Sequence, residues 1–145
     1  MDHLLHNDRV GCAECGAPPI DTLTCWDQLG LLIAWEYDDP ELQAEHFLTV
    51  ASYNLQHPAQ FTDDAIASVR TVFIAYLDTG VALADIRRRI RRAFAGTKRV
   101  LNDERTRQPT RRSWSMTIGD VYIPDMPTGA AARVRAWAAS IRTEL

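Results

Sequence analysis

The sequence predicts an all-α fold, a single-domain bundle of about five helices, and three observations predict it. Apolar residues recur at helical spacing through most of the 145 residues. Helix-starting pairs such as Asp39-Pro40 and Thr62-Asp63, and the stop at Gly80, punctuate that periodicity. No convincing alternating strand pattern or internal repeat appears. With 46% hydrophobic residues, a chain of this length supports one core and is short for two.

Residues 1–10, MDHLLHNDRV, lack periodicity and read as a flexible arm ahead of a domain spanning 11–145. They are polar and acidic, unlike a secretory or transit signal, and no later run approaches the ~18 apolar residues needed to cross a bilayer. The expectation is a cytoplasmic protein without a membrane role. Residues 11–19, GCAECGAPP, form a knuckle in which Gly16 permits the tight turn that aims Cys12 and Cys15 at one point. The βαβ context of a redox Cys-x-x-Cys is absent, and three cysteines in such a chain argue against a disulfide framework. Reduced thiols at close spacing suggest a metal.

Asp21 or Thr24 caps a first helix that runs to about Tyr37, with Trp26, Leu29, Leu32, Ile33 and Tyr37 at core spacing. Cys25 falls in its first turn, where unpaired N–H groups favour a thiolate. Asp39-Pro40 opens a second helix that ends at Pro58. Leu42, Thr49, Val50 and Tyr53 on one side, and Phe47, Leu48, Ala51 and Leu55 on the other, make it apolar nearly all round and therefore central. Thr62 caps the third, whose stripe is Ile66, Val69, Phe73, Tyr76 and Leu77, before Gly80 stops it. The fourth, about 82–95, sets Leu83, Ile86, Ile90 and Phe94 against Arg87, Arg88, Arg91 and Arg92. A basic stretch, about 97–113, reads as a mobile loop. Trp114-Ser115-Met116 reads as an extended piece, Thr117-Ile118-Gly119-Asp120 as a capping box, and Val121 to Ile123 as a helical turn. A last helix from about Gly129 carries Val134, Trp137, Ala138 and Ile141 at core spacing.

A closed zinc site takes four ligands, so three thiolates need one more. His46 and His57 are eleven residues apart, on nearly one face but ~16 Å apart along the axis, so both cannot hold the same ion. If the first two helices are antiparallel about Asp38-Asp39, Cys25 lies ~20 Å from the turn, His57 ~25 Å and His46 ~10 Å. The expected set is Cys12, Cys15, Cys25 and His57 around one structural Zn²⁺ per chain. A bent first helix, or ligation by His3 or His6, would undo that choice, and His46 is the alternative fourth ligand.

Near the turn His46 can instead meet Glu36. A carboxylate fixes the imidazole tautomer, as a general base requires. Tyr53 on the same face extends either a polar pocket or a structural network. Glu36, His46 and Tyr53 are thus the catalytic candidates of an alternative reading, a small enzyme with its pocket between the first two helices. The blander account is a histidine hydrogen-bonded in a helix seam. No nucleophile elbow and no glycine-rich phosphate loop appears.

The formal net charge of −3 hides a marked asymmetry: residues 1–64 carry twelve acids against Arg9 alone, and residues 87–112 carry eleven bases against Asp103 and Glu104. The two zones attract within the fold or across a homodimer, or the basic one meets an anionic partner. Arg87, Arg88, Arg91 and Arg92, followed by Lys98, Arg99, Arg111 and Arg112, can neutralise phosphates, and Trp114 can stack on a base. The sequence pI of about 5.8 argues against general nucleic-acid binding. A protein with an acidic patch fits equally. The favoured function is therefore a zinc-stabilised binding or adaptor protein that presents an Arg-rich helix to an anionic protein or nucleic acid.

The pattern Cys12-x-x-Cys15-Gly16, Cys25-Trp26, Ala34-Trp35-Glu36-Tyr37-x-Asp39-Pro40, His46-x-Leu48-Thr49-Val50-x-x-Tyr53-x-x-Gln56-His57-Pro58 resembles a small bacterial family, a domain of unknown function. The resemblance continues through Trp114-x-Met116-Thr117-Ile118-x-Asp120-Val121 and Val134-Arg135-Ala136-Trp137-Ala138. It implies that Glu36, His46 and His57 belong with the cysteines as characteristic positions, and it supplies no activity. Around Ala67-Ser68-Val69-Arg70 the chain lacks a histidine the pattern carries, which counts against a catalytic centre that depends on one.

Overall fold

Ile20 and Leu23 exchange backbone hydrogen bonds of 3.1 and 2.8 Å and close the turn that delivers Thr24 to the first helix. In the computed structural model, which describes residues 11–93 and 109–145, Thr24 rather than Asp21 is the cap. Its hydroxyl accepts from the Asp27 amide, and the Asp27 carboxylate accepts from the Thr24 amide. Together they satisfy two amides that a bare helix start leaves unpaired. The expectations for residues 1–10, for His3 and His6, for Phe94, Lys98 and Arg99, and for most of the basic loop fall outside the described residues.

Helix α1 (Cys25–Ala34) buries Cys25, Gln28, Leu29 and Leu32. That inward face corrects the expected one: Trp26 is 64% exposed and Tyr37 is 92% exposed. Cys25 points inward, so Trp26, one residue and ~100° further round, points out. After Ala34 the chain tightens into a 3-10 turn, Trp35–Asp38, and the shorter period swings Tyr37 off the buried stripe.

The single helix expected over 39–58 is two helices, α2 (Pro40–Ala44) and α3 (His46–Gln56). Asp39 caps α2 by accepting from the Leu42 amide, with Pro40 behind it at the first helical position. Glu45, at φ −96° and ψ 12°, breaks the run, its amide bonding back to Leu42 in a tight turn. Helix α3 is central, as its all-round apolarity requires: it buries Leu48, Ala51, Tyr53 and Leu55 together with Thr49, Ser52 and Gln56. A 3-10 turn, Pro58–Gln60, follows.

Thr62 caps α4 (Asp63–Thr79), and Gly80 ends it at φ 65°, where a side chain would be strained. Ala65, Val72 and Phe73 are its buried residues, while Ile66, Val69, Tyr76 and Leu77 are partly buried against the core. Helix α5 (Leu83–Ala93) packs on α4. Thr117 caps a 3-10 turn, Ile118–Asp120, through the expected box, and α6 (Ala130–Glu144) buries Val134, Trp137, Ala138 and Ile141 as its spacing requires. The described residues thus form six α-helices and no strand. Among them no helix is long and apolar enough to cross a membrane.

One buried polar bridge ties these parts together. Gln56, at the C-terminal end of α3, donates to the Met116 carbonyl at 2.8 Å and accepts from the Trp137 indole at 3.2 Å. It locks α3 to the segment before the 3-10 turn and to α6, and positions the residue that follows it, His57.

Candidate metal centre

The knuckle is built by backbone hydrogen bonds around two glycines. The Gly16 amide donates to the Cys12 carbonyl and the Cys12 amide donates to the Ala17 carbonyl, each at 3.0 Å. Gly16 sits at φ 80° and Gly11 at φ 75°; a Cβ on Gly11 would lie 2.7 Å from the Ala17 oxygen. Both positions therefore demand glycine. The amides of Glu14 and Ala17 point at the sulfurs of Cys12 and Cys15, each at 3.4 Å, as they would to stabilise thiolates. Glu14, inside the Cys-x-x-Cys, reaches across to accept from the Ala59 amide at 2.9 Å. Arg111 donates to the Cys12 carbonyl at 2.7 Å, and the Arg112 amide donates to the Glu14 carbonyl.

Cys25 enters from the first position of α1 and His57 from just past α3. Cys12, Cys15, Cys25 and His57 converge so that their four ligand atoms all lie within 4.8 Å of one another. His57 Nε2 lies 3.5 Å from the Cys12 sulfur and 3.4 Å from that of Cys25. Its other nitrogen, Nδ1, donates to the Tyr53 carbonyl at 2.6 Å, which fixes the ring and turns Nε2 toward the sulfurs. Tyr53 stacks on the imidazole, ring centroids 3.9 Å apart, and its hydroxyl stands 3.4 Å from the Cys25 sulfur. Cys15, Cys25, Tyr53 and His57 are buried and Cys12 is partly so. All three cysteines are free thiols.

The electrostatics suit a cation. Hydrogen bonds from Cys15, then Cys25, drive the Cys12 pKa well below the ordinary thiol value against the cost of burial, which favours the thiolate form. The same contact to Cys12, with Cys25 and burial, pushes Cys15 up. Burial disfavours a charged His57, but hydrogen bonds to Cys12, Cys25 and the Tyr53 carbonyl outweigh it and raise the pKa to about 10. Burial and the neighbouring Cys25 push Tyr53 above its ordinary value, which keeps it a donor. A bound cation would replace the protons that now offset the clustered sulfurs.

Of the two histidines considered, the structure brings His57 to the cysteines. His46 lies at the other end of α3, half exposed, with Nδ1 2.9 Å from a Glu36 carboxylate oxygen. Tyr53 belongs with the cysteines and not with that pair. Arg87, Arg88, Arg91 and Arg92 are exposed on α5. Arg112 lies 4.0 Å over the Trp114 ring and donates to the Glu144 carbonyl. Sequence reasoning missed Gly11, Glu14 and the outer-ring role of Tyr53. The tyrosine had a signal: four residues before His57, its carbonyl is placed for a capping contact with that side chain.

Six α-helices among the described residues, carrying a Cys₃His cluster, define a small all-helical protein with a candidate metal centre. The chain belongs to DUF5946, a family of unknown function, whose model covers residues 10–145. No curated protein and no solved structure matches it.

Proposed function

We propose that the protein is a zinc-stabilised binding or adaptor protein, cytoplasmic, that offers the arginine face of α5 to an anionic protein or nucleic acid. The observation that carries the binding role is the two-sidedness of α5: Ile86 is 1% exposed while Arg87, Arg88, Arg91 and Arg92 all face solvent. For zinc the support is the donor set and its spacing. Zn–S bonds of about 2.3 Å and Zn–N bonds of about 2.0 Å around a tetrahedron put sulfur and nitrogen about 3.5 Å apart. The two sulfur-to-nitrogen distances are 3.5 and 3.4 Å. Four protein donors leave no coordination position for water, so the ion's role is structural.

Elemental analysis of protein purified without chelator or histidine tag tests the metal, with one zinc per chain expected. Retention on an immobilised polyanion tests the surface. Replacing Arg88, Arg91 and Arg92 by alanine removes that retention and leaves the helical signal and zinc content intact; undiminished retention would sink the reading. A second reading, an enzyme with a Glu36/His46 acid–base pair, rests on the 2.9 Å hydrogen bond between them. It requires His46→Gln to stay folded and lose the turnover that a substrate screen detects.

A further inference from the structure

The outward side of α1 is unlike an ordinary solvated helix face. Trp26, Gly30 and Ala34 on α1, and Tyr37 in the 3-10 turn that follows it, are all exposed, with no charged residue among them. Nothing lies within 4 Å of the position a Cβ on Gly30 would take. The stripe is flat at its middle, aromatic at both ends, and ~17 Å long at 1.5 Å per residue. Asp27 and Asp38 stand exposed beside its two ends. The whole segment 11–64 holds ten acids and no lysine or arginine. A face of this kind suits a helix that brings guanidinium groups, which stack on aromatic rings and pair with carboxylates.

The chain itself supplies such a helix. Helix α5 is eleven residues long, the same reach, and Arg87, Arg88, Arg89, Arg91 and Arg92 are exposed on it. Among the described residues only Arg88 of the five makes an ion pair, and that is with Asp85 on its own helix. Arg135 reaches Glu41 from α6, and the ion pair made by Arg88 stays within α5. The acids beside the stripe of α1 would repel a polyanion, which favours a protein occupant there.

We propose that α5 of one copy docks on the exposed Trp26–Tyr37 face of α1 in a second copy. The pairing is reciprocal, so two identical contacts close a twofold dimer. This rests on the reading of α5 as the binding surface and names its partner.

Sedimentation velocity on the full, metal-loaded chain tests it. A dimer is expected at ~50 mM salt and a shift to monomer at ~500 mM, as screening weakens the charge pairing. Two variants, W26A/Y37A and R88E/R91E/R92E, should each be monomeric at low salt with unchanged helical signal and zinc content. Mixed in equal amounts they should form a heterodimer, because each supplies the face the other lacks. If W26A/Y37A loses zinc, Y37R at the more exposed end carries the same test. A wild type that stays monomeric, a dimer that survives R88E/R91E/R92E, or a mixture that stays monomeric would overturn the proposal. The polyanion column separates its failure from that of the broader reading: a monomer still retained through these arginines refutes the self-docking alone, and a dimer that the column does not retain refutes only the external anionic partner.

Discussion

Helix α3 has a histidine at each end, and the two ends differ in what the rest of the fold brings to them. His57 is 5% exposed, its Nδ1 held by the Tyr53 carbonyl and its Nε2 facing the sulfurs of Cys12 and Cys25. The His46 side chain is 51% exposed and meets one carboxylate, Glu36. The same imidazole is a candidate ligand at one end and a half-exposed hydrogen-bond partner of one carboxylate at the other. What makes the difference is a backbone carbonyl that fixes the tautomer and three thiols that arrive from elsewhere in the chain. Residue type and helix position do not decide it.

The sharpest way to break that comparison is to delete each histidine. His57→Ala should abolish stoichiometric metal binding and lower the melting temperature by far more than any surface change, because three clustered thiols lose their nitrogen partner. Under the same elemental analysis His46→Ala should keep its metal. Equal loss from both variants would mean that the two ends are not independent.

Acidity should bear on one end more than on the other. Without the ion, hydrogen bonds to thiolates hold His57 protonated up to a pKa of about 10, so binding at neutral pH must displace that proton along with those on the thiols. Protons compete with the metal, and affinity should rise by more than tenfold between about pH 6 and about pH 8. A chelator-competition titration at the two pH values measures this. An affinity independent of pH would contradict the protonated cluster.

Next in size is the ring around the ligands. Tyr53→Phe keeps the stacking on His57 and removes the hydroxyl near Cys25; a partner of this kind typically changes metal affinity by about 10–100-fold, which the same competition assay reads. Gln56→Leu leaves the Trp137 indole and the Met116 carbonyl unpaired in the interior, at a cost of about 1–3 kcal/mol for each orphaned group. Urea denaturation should report that loss with the metal content unchanged. Smallest is His46→Gln, expected within about 0.5 kcal/mol of the wild type by the same denaturation, as befits a half-exposed side chain.

Much of this was legible in the residues, and its limits have physical causes. Caps and stops are local chemistry: Thr24 with Asp27, Asp39 before Pro40, Thr62 and Gly80 act through hydrogen bonds and φ values within a few residues. The helix boundaries that depend on them could be read directly. The break at Glu45 has no such signature, since neither glycine nor proline marks it, and Leu42 and Leu48 are buried on either side of it. In the same way the apolar spacing of Trp26 and Tyr37 matched a core stripe, yet the inward direction of Cys25 and the 3-10 turn at Trp35 turned both residues outward.

The sequence by itself determined the all-helical class and the cysteine knuckle and, through distances counted along two helices, favoured His57 while leaving His46 as the alternative fourth ligand. Each of these follows from spacing along a chain of known rise per residue. Tertiary structure alone decided that Tyr53 serves the cysteines, that Gln56 bridges Met116 and Trp137, and that α1 shows an aromatic face to solvent. Those facts depend on which elements meet at sequence separations of 28, 60 and 81, at which local spacing carries no directional information.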